Sequence, residues 1–172
     1  MKAGLRSDHR YRNSAQAAVK VARAGFYPVE SGKISFRRDG NWYSDDDRID
    51  NPRIALLFSR SIRQNPDGSY YLQVADERAP IAVEDTPYVV VTVEGDDREL
   101  TVVTNDGARE TLDATTLETG ADNVLYCRIK QGRFRARFLR SAYYHLSDHF
   151  VADDHDQFAL ELDGRRYLIK NA

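Results

Sequence analysis

The stretch Tyr126-Cys127-Arg128-Ile129-Lys130-Gln131-Gly132-Arg133-Phe134-Arg135-Ala136-Arg137-Phe138, with Tyr143 beyond it, echoes an earlier segment of the same chain. Tyr71-x-x-Val74 returns as Tyr126-x-x-Ile129, and Val83-x4-Tyr88 returns as Phe138-x4-Tyr143, every pair at one and the same offset. A constant offset across a strand, a turn and a second strand points to duplication of one structural unit. Alternation places Cys127, Ile129, Phe134, Ala136 and Phe138 on one, buried face. With a two-residue turn at Gln131-Gly132, Lys130 faces Arg133, Arg128 faces Arg135, and Arg137 lies opposite Tyr126 on the other face. The first copy has Gln73, Ala75, Arg78, Pro80 and Ala82 at the positions of Arg128, Lys130, Arg133, Arg135 and Arg137. The scaffold therefore does not require that positive charge.

Working outward, Asp39-Gly40 between Ile34-Ser35-Phe36-Arg37 and Asn41-Trp42-Tyr43 is a strong hairpin signal, because the turn needs positive φ. Asp106-Gly107 repeats it, but at a larger offset than the later pairs, so the second copy is expected to have lost a helix-length segment between its matched parts. The loss falls where the first copy has Asn51 as N-cap, Pro52 at the first helical position, and Ile54, Leu57, Phe58 and Ile62 at helical spacing. Thr115–Gly120 should be a loop in its place. Strands are expected at 70–74, 81–83, 88–93, 124–130 and 133–138, a helix over 141–148, and a last hairpin around Asp163-Gly164. Residues 1–13 read as a polar arm, followed by a short alanine-rich helix capped by Asn13 and stopped by Gly25. The fold class is α+β, mainly antiparallel, with a duplicated strand-hairpin, helix and hairpin unit in two halves and a few covering helices. The expected division is an arm and helix over 1–25, a first repeat over 26–94, and a second over 95–172.

Length and composition set outer limits. The chain has 172 residues, 41% hydrophobic and 30% charged, enough for a packed core and unlike a disordered chain. A net charge of -2 excludes a uniformly basic nucleic-acid binder, so no sequence-specific nucleic acid is expected. No apolar run approaches the ~20 residues of a membrane span, and no secretory signal opens the chain, so a cytoplasmic protein without membrane partners is expected. The single cysteine, Cys127, excludes an internal disulfide and a multi-thiolate zinc site.

Arg128 opposite Arg135 carries the strongest chemical signal. Like charges directly opposed on a sheet cost about 0.2–1 kcal/mol per pair, so something must offset them. One reading is an anion gripped by forked guanidinium donors; the other is a solvated face paired with acids such as Glu110, Asp113 or Glu84. His145 and His149, four apart on a helix face, could join Asp153 around a divalent metal, yet the glutamate of a metalloprotease motif is missing. Asp45, Asp46, Asp47 and Asp50 lack the spacing of a calcium loop and suit a helix N-terminus. Glu84 and Asp85 are adjacent and point oppositely on a strand, which makes a poor acid–base pair. Trp42, Tyr43, Tyr70 and Tyr71 either stack on a ligand ring or fill the core. No phosphate loop, nucleophile elbow or dinucleotide fingerprint is present, and no cofactor is expected.

Ile34-x4-Asp39-Gly40-x-Trp42-Tyr43, Leu57-Phe58-Ser59-Arg60, Asp67-Gly68-x-Tyr70-Tyr71-Leu72 and Ile81-x-Val83-Glu84-Asp85-Thr86-Pro87-Tyr88 together resemble a bacterial family known as domain of unknown function 1285. The resemblance runs from about Pro28 to Leu146. It implies a duplicated core in two domains, the second a roll superficially like a pleckstrin-homology domain, with a nucleotide-like ligand bound at the domain interface in signal transduction. It brings no catalytic residues. The resulting expectation is a non-enzymatic binding or regulatory protein for an anionic small molecule or nucleotide. Arg128, Arg135 and Arg137 would ground the charge, and Trp42, Tyr71, Glu84, Asp85 and Tyr88 lie in the family-matching segments. The alternatives are a small metal-dependent hydrolase using His145, His149 and Asp153, and a module that binds an acidic protein partner through its basic hairpin.

Overall fold

A computed structural model describes residues 33–152 and 158–171. The expected N-terminal arm and alanine-rich helix lie outside the described residues, as does Asp153. The described chain divides into two compact units, one of residues 33–37 and 41–84, the other of residues 38–40 and 85–171.

In the first unit, β1 (Ile34–Phe36), β2 (Trp42–Ser44) and β3 (Asp47–Arg48) run up and down, α1 (Pro52–Ser61) follows, and β4 (Ile62–Gln64), β5 (Tyr70–Val74) and β6 (Glu77–Val83) complete one sheet. The expected turn at Asp39-Gly40 forms, with Gly40 at φ +80. Asn51 caps α1 as expected, its Oδ1 accepting from Arg53 N at 3.0 Å and Ile54 N at 3.4 Å. That satisfies donors the first helical turn leaves orphaned. Ile54 and Phe58 are buried. Trp42, 1% exposed, packs on Phe36 and Phe58, and its Nε1–H donates to Ser59 Oγ at 2.9 Å. The strand order is β3-β2-β1-β6-β5-β4, all antiparallel except the central pair β1 and β6, which is parallel.

The second unit uses the same order. Its strands are β7 (Tyr88–Gly95), β8 (Leu100–Thr104), β9 (Arg109–Thr111), β10 (Glu118–Thr119), β11 (Leu125–Ile129) and β12 (Phe134–Phe138), with 3-10 turns at Ala114–Thr116 and Ala121–Asn123. The sheet runs β10-β11-β12-β7-β8-β9, its parallel pair again being the first and last strands, and a late strand, β16 (Lys170–Asn171), joins β10. Helix α2 (Arg140–Ser147) covers β7, where Ser141 Oγ donates to Val91 O at 3.2 Å. β13 (Phe150–Ala152), β14 (Phe158–Leu162) and β15 (Arg165–Leu168) form a separate small sheet. Across the described residues the protein is α+β and mainly antiparallel, in two sheet-rich halves.

The duplication is therefore legible in the strand order, but one of its expected landmarks shifts. Tyr88 opens β7 and Tyr143 sits in α2, the strand and the helix expected there, so that echo joins unlike elements. Asp39-Gly40 lies between β1 and β2, while Asp106-Gly107 lies between β8 and β9, so the two turns are not equivalents. The expected loss of a segment from the second copy is not found, because the stretches Ile34 to Val83 and Tyr88 to Phe138 are of nearly equal length. The second unit omits the helix and uses the chain for a longer first hairpin, with strands of 8 and 5 residues against 3 and 3.

Candidate functional site

The arginine hairpin has the expected register, Arg128 opposite Arg135 and Arg137 opposite Tyr126. Cys127, Ile129, Phe134, Ala136 and Phe138 are all buried beneath it. Lys130 departs from expectation. At φ +53 it has left the strand, and its Nζ lies 2.6 Å from Asp106 Oδ2 and 4.7 Å from the centre of the Tyr88 ring. It does not join the arginine face.

On that face the charges are paired. Arg137 donates to Asp85 Oδ2 at 2.8 Å, and Tyr126 Oη donates to the same oxygen at 3.0 Å. Arg135 Nε lies 2.6 Å from Glu118 Oε1, an ion pair without hydrogen-bond alignment, and its guanidinium sits 3.6 Å from the centre of the Tyr126 ring. Burial, and then the bond to Asp85, raise the Tyr126 phenol above its ordinary value. Partly covered pairs of this kind outlast salt better than exposed ones. Two arginines thus find two carboxylates, and the like-charge repulsion is offset within the protein. The partners are Glu118 and Asp85, while Glu110 accepts from Lys130 N at 2.8 Å and Asp113 caps the turn at Thr115.

The other anticipated residues scatter. Trp42 is core. Tyr71 is half-buried on β5 under the Arg78 guanidinium, and Glu84 ends the first unit exposed. Tyr88 is buried edge-on to Phe134. Arg128 is exposed and has no ion pair among the described residues. Burial, with Glu110 and Asp113 nearby, pushes the Cys127 thiol up to about 12, as befits inert packing. His145 Nδ1 approaches Val93 O at 3.3 Å, and His149 Nδ1 lies 3.0 Å from Asp97 Oδ1, so the two histidines serve different partners. No cluster of three His, Cys, Asp or Glu suited to a metal occurs among the described residues.

Sequence reasoning missed the concave surface next to Arg137. A cavity of about 350 Å³ is lined by Asp122, Asn123, Val124, Leu125, Arg137, Phe138, Arg140, Tyr143 and Tyr144. Arg140 Nε and NH2 donate to Tyr144 Oη at 3.2 and 3.1 Å, and Arg140 has no acidic partner among the described residues. A second cavity of about 570 Å³ shares Asn123, Leu125 and Tyr143 with the first. The shared Asn123 and its sequence neighbour Asp122, which lines the smaller cavity alone, both stand at φ +57. Left-handed non-glycine residues cost about 1–3 kcal/mol and cluster at ligand clamps. Arg140 and Tyr144 stand four apart, the spacing of helix-surface neighbours, which was the available signal. Starting the helix at Ser141 concealed it.

Residues 26–86 match the model of the N-terminal domain of a family described as a domain of unknown function (DUF1285). The resemblance expected from the Asp-Gly-x-Trp-Tyr and Asp-Gly-x-Tyr-Tyr-Leu segments is borne out. The structure is similar to that of a DUF1285 family protein from Silicibacter pomeroyi DSS-3, with a TM-score of 0.68 and 23% identity over 89% of this chain and 94% of that one. It is also similar to a DUF1285 family protein from Shewanella baltica OS155, with a TM-score of 0.55 and 22% identity over 70% of this chain and 94% of that one. At these identities the likeness is one of fold. No curated protein matches the chain. No described helix is long and apolar enough to cross a membrane.

Proposed function

We propose, for a chain whose residues 26–86 match the model of the DUF1285 N-terminal domain, a binding role: a cytoplasmic regulatory protein that holds an anionic, nucleotide-like ligand and acts in signal transduction. The ligand's charged group sits in the cavity of about 350 Å³ on the second unit, against Arg140 and Arg137, with Tyr143 and Tyr144 beside it. The observation that carries this reading is Arg140, a guanidinium on a concave wall whose only hydrogen-bond partner among the described residues is the neutral Tyr144 hydroxyl. A forked donor of that kind matches a phosphate, and the tyrosine rings offer faces to a base. The volume falls in the range of small-molecule sites. Of Arg128, Arg135 and Arg137, expected to ground the charge, the last two hold Glu118 and Asp85, which makes Arg137 a positioned wall and Arg140 the principal anion contact.

The test is a thermal-shift titration of wild type and Arg140→Glu with nucleotides, signalling dinucleotides and inorganic pyrophosphate. A ligand at 100 times its dissociation constant adds about 2.7 kcal/mol, a clear shift of the midpoint. Stabilisation of wild type that is lost in Arg140→Glu supports the reading. Absence of any stabilisation, or equal stabilisation of the variant, rejects it.

A further inference from the structure

The larger cavity, of about 570 Å³, has a different chemistry from its neighbour. It exists because the chain changes sheets across one residue: β15 ends at Leu168, Ile169 follows, and Lys170 begins β16 against β10. Ile169 N still donates to Phe158 O at 3.1 Å while Lys170 N donates to Leu117 O at 3.2 Å, so the backbone is tied to both sheets and the wedge between them stays open. Leu125, Phe150, Phe158, Leu168 and Ile169 form its apolar wall. Phe158 and Leu168 are 66% and 52% exposed, apolar surface that an occupant would take out of water.

Its charge is equally one-sided. Among the described lining residues Lys170 is the only charged one, accompanied by neutral Thr119, Asn123 and Asn171. Lys170 Nζ donates to Thr115 O at 3.1 Å, a neutral acceptor, and forms no ion pair among the described residues. An apolar wall with one uncompensated ammonium and no carboxylate among its described lining residues discriminates against cations and favours a monoanion with an aliphatic tail.

We propose that this cavity is a binding site for an aliphatic carboxylate of medium chain length. Its tail lies along Leu125, Phe150, Phe158 and Leu168, and its carboxylate pairs with Lys170. The two cavities share Asn123, Leu125 and Tyr143, but their charged contacts differ, Lys170 here and Arg140 there.

Isothermal titration of the full chain with decanoate, below its micellar range, tests the assignment. Decanol, decyltrimethylammonium and acetate serve as neutral-head, cationic-head and tail-less probes. Decanoate should bind one to one, decanol about tenfold more weakly, and the other two not measurably. Lys170→Gln should bring decanoate down to the affinity of decanol. Phe158→Ser with Leu168→Ser, both at exposed positions, should weaken decanoate about tenfold or more while leaving the unliganded thermal midpoint in place. Arg140→Glu should leave decanoate binding unchanged even as it removes any nucleotide response, so failure of one site is read independently of the other. The assignment is overturned if decanoate does not bind at one to one, if the cationic probe binds as well as decanoate, or if neither Lys170→Gln nor the Phe158/Leu168 variant alters its affinity.

Discussion

The two units share one strand order and use it differently. Between its third and fourth strands the first unit places α1, capped by Asn51 and packed through Phe58 beside Trp42; the second has only a 3-10 turn at Ala114–Thr116. The connection from the fourth to the fifth strand differs as well. In the first unit it is the turn Asn65 to Ser69, which satisfies itself: Asn65 N donates to Ser69 O, and Asp67 accepts from Ser69 N and Oγ. In the second it is the left-handed pair Asp122 and Asn123, both lining the smaller cavity, with Asn123 lining the larger as well. The topology tolerates the exchange of a helix for hairpin length. The second unit sets its left-handed pair beside two cavities, whereas the left-handed residues of the first, Asp45 and Ala75, sit in its short turns.

The largest loss of stability is expected in the first unit. Trp42→Ala removes a buried indole and orphans its bond to Ser59, and should cost about 3–5 kcal/mol in chemical denaturation. In the second unit, Gly120→Val would press against the Tyr126 ring, which lies 2.8 Å from any Cβ placed there. A loss of about 1–3 kcal/mol by the same measurement is expected. Asp85→Ala strips the acid from both Arg137 and Tyr126, at a cost of about 1–3 kcal/mol. Adding Arg137→Met should cost less than the sum of the single changes, a coupling of about 0.5–3 kcal/mol in a double-mutant cycle.

At Asp106 the contribution to stability depends on pH. Burial pushes this carboxyl up, but hydrogen bonds from Lys130 Nζ, Thr104 Oγ1 and Ala108 N outweigh burial and hold it below 3.8. Its folded value thus lies under its unfolded one. The stability it contributes is complete above about 3.8 and is lost as pH falls through the lower folded value. The stability difference between wild type and Asp106→Asn should be flat from about pH 5 to 7 and shrink below about pH 4. The smallest effect belongs to Arg128→Gln. Exposed and opposite Arg135, it should shift stability by no more than about 0.5 kcal/mol, toward stabilisation.

Local signals carried most of the elements. Asp39-Gly40, Asn51-Pro52 and the alternation through Phe134, Ala136 and Phe138 each depend on neighbours close in sequence, and each stands where expected. The parallel pairs β1 with β6 and β7 with β12 were not legible, because parallel partners are joined through intervening strands and leave no turn signature. The membership of Tyr88–Gly95 in the second sheet depends on those pairings, and so escaped a reading by offsets. The arginine face was legible as a face, but its partners were not: Asp85 is far from Arg137 in sequence, and Glu118 reaches Arg135 only because β10 lies beside β11. The cavities depend on how α2 and the short β16 settle, and neither has a sequence pattern strong enough to place its side chains.

If the second unit holds the proposed anionic ligand, amide-resolved NMR titration of the full chain with ATP reveals it most directly. The account predicts saturable shifts at Asn123, Arg137, Arg140 and Tyr144, with residues 34–83 unmoved, and their loss in Arg140→Glu. Shifts centred on the β1–β6 sheet, or none at ATP concentrations well above those of an ordinary binding site, would contradict it.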